Sequence, residues 1–156
     1  MSLPIWMNLL VAGSLAGGAL IAIARAGISS KSVRKKMKEE AFAKEVSAVE
    51  FEALRVECNE KGGSNPRPIV LLFHADWCRA CNLLWPIFHK VARELQAKAE
   101  FVTIDVDAER PLARAMKCGS LPSIYVLKGP GDAVDISNGF MREGQFKQFL
   151  ETAFAL

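Results

Sequence analysis

Charge is missing from the first 24 residues of this chain, which hold no Lys, Arg, Asp or Glu. Histidine occurs only twice and cysteine only four times in 156 residues. There is no internal repeat, no low-complexity tract, no glycine-rich phosphate loop, no paired carboxylates and no serine triad. No bound cofactor is therefore expected. A zinc site drawn from His74, Cys78 and Cys81 lacks a fourth ligand, so no metal is expected either. The net charge of +3 is too small to make nucleic acid a partner. What is present is apolar: 51% of the residues are hydrophobic, which excludes wholesale disorder and allows one domain with an appendage.

The charge-free stretch has a length that matters. Residues 3–24, LPIWMNLLVAGSLAGGALIAIA, span roughly 33 Å as a helix at about 1.5 Å per residue, enough to cross a bilayer core of about 30 Å. The rival is a cleaved signal peptide, with Ala22-Ile23-Ala24 or Ala24-Arg25-Ala26 imitating a cleavage site. The missing basic start and the length of the run favour an uncleaved transmembrane anchor. Gly13 and Gly17 form a GxxxG pair that either admits a second membrane helix or reflects the frequency of glycine in such helices. Residues 25–44 then carry seven basic residues against two Glu. Basic residues after an anchor stay on their own side of the membrane, which predicts a C-terminal domain on the cytoplasmic, matrix or stromal face. Residues 25–45 read as a basic helical stalk resting on anionic headgroups or as an ordinary charged linker.

The remaining residues, 46–156, alternate strand and helix patterns. The spacing predicts a short strand over 46–49 and a helix over 50–61 with Phe51, Leu54 and Cys58 on one face. A continuous apolar strand over 68–73 has the character of a central strand buried on both faces. A long helix over 78–97 is interrupted by Pro86. A strand over 101–106, a helix over 111–117, strands over 123–127 and 133–136 around a turn at 128–132, and a helix over 142–154 complete the series.

One sharp motif sits where the buried strand meets the long helix, Trp77-Cys78-Arg79-Ala80-Cys81. Two cysteines three apart can close a small disulfide ring. The first, exposed at the positive end of the helix dipole, has its thiolate stabilised and can attack another protein's disulfide. The second, one turn inward, then resolves the mixed disulfide.

The stretches PIVLLFHADWCRACNLLWPIFHKVA, FVTIDVDAE and CGSLPSIYVLKGPGDAV resemble the thioredoxin family at that family's spacing, and ADWCRAC is similar to its membrane-associated members. The resemblance implies a thioredoxin-like α/β fold, a central mixed β-sheet flanked by helices, here preceded by one N-terminal transmembrane helix. It makes Cys78 the nucleophile and Cys81 the resolving thiol. It also makes Trp77 the aromatic residue ahead of the nucleophile, and Pro122 a cis-proline that presents the backbone of Leu121 to an extended substrate peptide. The family's buried Asp and its lysine partner fall at Leu72 and Thr103, so the usual acid–base relay for the resolving cysteine is missing. Arg79 either supplies positive charge beside the Cys78 thiolate or faces solvent with little effect. His74 either does the same or is a strand-end histidine satisfied by hydrogen bonds. Cys58 and Cys118 read as small buried hydrophobes, with a regulatory disulfide between them as the other option.

Two functions are consistent with these residues. The first is a membrane-tethered thiol–disulfide oxidoreductase, moving electrons between protein thiols and disulfides through the Cys78/Cys81 pair. The second is a thioredoxin-fold accessory subunit of a membrane complex. The intact CxxC and Leu-Pro favour the first. The missing Asp, the glycine-faced anchor and the short linker favour the second.

Overall fold

The computed structural model describes residues 41–62, 66–129 and 134–155. The anchor and most of the stalk expected over residues 3–45 lie outside them. Among the described residues no helix is long and apolar enough to cross a membrane.

The elements run β1 (Lys44–Glu45), α1 (Ala48–Gly62), β2 (Ile69–His74), α2 (Arg79–Leu95), β3 (Glu100–Asp105), α3 (Arg110–Ala115), β4 (Ser123–Leu127), β5 (Val134–Asn138) and α4 (Glu143–Phe154). The sheet order is β1-β3-β2-β4-β5. β1, β3 and β2 are parallel, while β4 pairs antiparallel with β2 and β5 antiparallel with β4. This is the mixed sheet flanked by helices that the family resemblance implies.

All six residues of β2 are buried, as an uninterrupted apolar run requires when both faces are covered. Side chains alternate across the sheet. Ile69, Leu71 and Phe73 join Val102, Ile104 and Tyr125 in a core closed by Phe51 of α1 and Ala113 of α3. The opposite face, with Val70 and Leu72, is covered by α2 and α4. There Phe88 stacks on Phe146 and meets Phe101 edge-on, with ring centroids 5.7 and 5.8 Å apart. The apolar stripe of α2 runs through Cys81, Leu84, Trp85, Phe88 and Ala92 despite Pro86 inside the helix.

One expected element is wrong. Residues 46–49 form no strand; the strand is Lys44–Glu45, and α1 begins at Ala48. The reason is a capping box. The Ser47 hydroxyl accepts from the Glu50 amide at 3.3 Å, and the Glu50 carboxylate accepts from the Ser47 amide at 2.9 Å. Ser47-x-x-Glu50 therefore starts a helix inside what the apolar residues alone make look like a strand. Lys44 Nζ adds an ion pair to Glu50 at 2.6 Å. Together Lys44 and Ser47 hold the Glu50 carboxyl down to about 2.

Candidate active site

Three segments converge at the C-terminal end of the parallel strands. The first is the turn after β2, residues 75–78. His74 is the last residue of β2, and its carbonyl accepts from the Val106 amide at 2.9 Å, tying this turn to the segment after β3. The second is the start of α2. Cys78 is its N-cap with extended backbone, and its Sγ accepts from the Cys81 amide at 3.1 Å. A helix N-terminus needs acceptors for its free N–H groups, and here a sulfur supplies one. The third is the loop before β4, where the Leu121–Pro122 peptide is cis.

Cys78 and Cys81 are joined as a disulfide with Cα atoms 5.2 Å apart. They form one apolar cluster with Ala75, against which Ala80, Val106 and Leu121 pack. The geometry differs from expectation in one respect: Cys78 is 6% exposed and Cys81 2%, so the first cysteine is only slightly more open than the second. The turn itself accounts for this, because the Cys78 amide donates back to the Ala75 carbonyl at 3.1 Å and folds the sulfur against Ala75.

The other predicted site residues fall into two groups. Leu121 packs against the disulfide cluster, Pro122 follows it in the cis peptide, and Trp77, the residue before Cys78, is 66% exposed. The Trp77 indole Nε1 donates to the Asp107 carboxylate at 2.7 Å, which fixes an otherwise open aromatic plate. Arg79 is exposed at the first turn of α2, next to Cys78 in the chain. His74 is buried on the α2 face of the sheet, edge-on to Trp85 at 4.8 Å, with Nε2 3.4 Å from the Glu45 carboxylate. Sequence reasoning missed Asp107, Glu45 and His89. Only His89 left a signal, two helical turns beyond Cys81 on the same face.

Leu72 and Thr103 are paired in register on adjacent parallel strands and are fully buried. Thr103 Oγ1 has no hydrogen-bond partner among the described residues. No carboxylate stands at either position. Cys58 is buried within the α1 core, and Cys118 packs against the same cluster, its Sγ donating to the Ser120 carbonyl at 3.5 Å. Burial pushes the Cys118 thiol up. No disulfide joins these two cysteines. Among the described residues no group of three or more His, Cys, Asp or Glu is placed to hold a metal.

A mixed five-stranded sheet with a CxxC pair capping the helix after its central strand, next to a cis-proline loop, defines the class of thiol–disulfide exchange domains. The family model for thioredoxin matches residues 33–152, and the chain belongs to the thioredoxin family, whose members are thiol–disulfide oxidoreductases. It is similar to thioredoxin of Borreliella burgdorferi, 32% identical over 88 residues, covering 56% of this chain and 74% of that one. It is also similar to mitochondrial thioredoxin of Bos taurus, 33% identical over 84 residues, covering 54% of this chain and half of that one. Among solved structures, chloroplastic thioredoxin z has the same fold, with a TM-score of 0.62 over 74% of this chain and 96% of that one at 22% identity. Thioredoxin of Fasciola hepatica gives a TM-score of 0.59 over 70% and 97% at 25% identity.

Proposed function

We propose that this chain is a membrane-tethered thiol–disulfide oxidoreductase acting on protein disulfides. The observation that carries the chemistry is the hydrogen bond from the Cys81 amide to Cys78 Sγ at a helix N-terminus. Once the pair is reduced, the same N–H and the helix dipole stabilise negative charge on that sulfur, making Cys78 the nucleophile. The Cys78 thiolate attacks one sulfur of a substrate disulfide, forming a mixed disulfide and releasing the other sulfur as a thiolate. Cys81 gives up its proton and attacks Cys78 Sγ, closing the Cys78–Cys81 disulfide and releasing the second substrate thiol. Two electrons pass to the substrate, and an external dithiol must return them. Leu121 and Trp77 frame the surface on which an extended peptide lies beside the sulfurs.

The tether rests on residues 3–24, and the sidedness on the basic residues that follow. Both belong to sequence outside the described residues. The bilayer, and other membrane helices through Gly13 and Gly17, are the partners this part of the reading implies. The domain then faces the cytoplasm, matrix or stroma. One observation favours the accessory-subunit reading: the buried Leu72–Thr103 pair offers no group to take the Cys81 proton.

Cys81→Ser expressed in native membranes separates the two. The oxidoreductase reading expects mixed disulfides with partner proteins on non-reducing gels, lost in Cys78→Ser/Cys81→Ser. A stable stoichiometric complex with no such adducts would support the accessory role. Protease added outside sealed, right-side-out membranes should leave residues 46–156 intact, and digestion of that domain without lysis would overturn the topology.

A further inference from the structure

The segment that enters the domain is fastened to the helix that carries the dithiol. The amides of Phe42 and Ala43 both donate to a single atom, Nδ1 of His89 on α2, at 3.1 and 3.0 Å. An imidazole nitrogen that accepts hydrogen bonds carries no proton, so the ring is neutral with its proton on Nε2. The ring is 5% exposed, and Nε2 has no hydrogen-bond partner among the described residues. Arg93, one turn further along α2, lies over the Phe42 ring at 5.8 Å and closes the contact from outside.

The clamp connects to the active site through packed rings. His89, Trp85 and Cys81 are spaced four residues apart on one face of α2. Trp85 contacts His89 at 4.4 Å and His74 at 4.8 Å, between ring centroids. His74 closes β2 at the base of the turn leading to Cys78, and its Nε2 lies 3.4 Å from Glu45. Glu45 belongs to β1, two residues after the clamped amides. The contacts thus form a closed ring, from the entry segment across α2 to the end of β2 and back along β1.

We propose that His89 is a positioning residue for the dithiol: its neutral imidazole clamps Phe42 and Ala43 to α2 and so seats Glu45, His74 and Trp85 beneath the active-site turn. The charged and titratable groups facing the ring are Arg93 on its own helix and His74 on β2, with Glu45 of β1 behind His74. α4 meets this stretch of α2 through Phe146 on Phe88 and through Lys147 on Glu94. The clamp uses nothing from the membrane tether, and its structural half stands whether or not the chain is an oxidoreductase. Its redox half rests on that reading.

His89→Leu removes the acceptor and roughly keeps the volume, whereas His89→Asn puts a carbonyl oxygen near the place of Nδ1. In the full-length chain in mild detergent, His89→Leu should speed hydrogen exchange at the Phe42 and Ala43 amides about tenfold or more, the loss of two hydrogen bonds. It should also shift the equilibrium of Cys78–Cys81 with a glutathione redox buffer by about threefold or more, and His89→Asn should bring both back toward wild type. The proposal is overturned if the amides exchange as in wild type, if His89→Asn behaves like His89→Leu, or if the amides open while the redox equilibrium stays put. Should His89→Leu fail to fold, the nitrogen resonances of His89 in the wild-type chain decide. A neutral ring protonated on Nε2 at neutral pH supports the clamp, and a proton on Nδ1 contradicts it.

Discussion

Cys78, joined to Cys81 and buried, and the reduced, part-buried Cys118 differ in what reaches their sulfur. Cys78 Sγ receives an N–H at a helix N-terminus, while burial raises the Cys118 thiol. After reduction, alkylation at neutral pH followed by peptide mass spectrometry should label Cys78 first and Cys118, Cys58 and Cys81 more slowly; equal rates would contradict this assignment. His89 makes a prediction of another kind. Burial, followed by the charges of His74 and Arg93, pushes its pKa from 6.5 down to about 4. The folded chain therefore resists a proton that the unfolded chain accepts below pH 6.5. Stability attributable to this residue is whole above pH 6.5 and is lost as pH falls from there through 4. Chemical denaturation across that range should show a steeper acid loss in wild type than in His89→Asn, and parallel curves would refute it.

At the scale of elements, the legible features were those with strong local signals. The apolar run over 68–73 marks a strand covered on both faces, and all six residues of β2 are buried. Cys78 at the junction followed from the same boundary. β1 was misplaced because Val46 and Val49 carry β-propensity, while Ser47 and Glu50 carry a capping signal that overrides it. Ser47→Ala should cost about 1 kcal/mol by denaturant titration, and an effect near zero would show that the box adds nothing. Phe88 packs against Phe101 of β3 and Phe146 of α4, and that meeting of three elements is set by topology and by no local spacing. Phe88→Ala should cost about 3–5 kcal/mol in the same titration, the range for emptying a buried aromatic site.

At the scale of the whole molecule, the site divides into a part written in adjacent residues and a part assembled by topology. WCRAC and the Leu-Pro step are local patterns and were visible in the sequence. The Trp77–Asp107 bond and the His89 clamp join residues 30 and more than 45 positions apart, and no spacing rule announces them. The clamp also bears on where the folded unit begins. A chain starting at Ala41 keeps the clamp and β1 and should unfold cooperatively, whereas one starting at Ser47 loses both and should melt several degrees lower. Equal melting temperatures would mean that residues 41–46 contribute no stability.

The central claim is that the Cys78–Cys81 pair, on this fold, carries electrons to protein disulfides. Dithiothreitol-driven reduction of a protein disulfide by the full-length chain, set against Cys78→Ser and Cys81→Ser, tests it most directly. The account predicts turnover well above the dithiothreitol background for wild type and background alone for Cys78→Ser. For Cys81→Ser it predicts a single round that ends in a mixed disulfide on Cys78. A wild-type rate no faster than that of Cys78→Ser would contradict it.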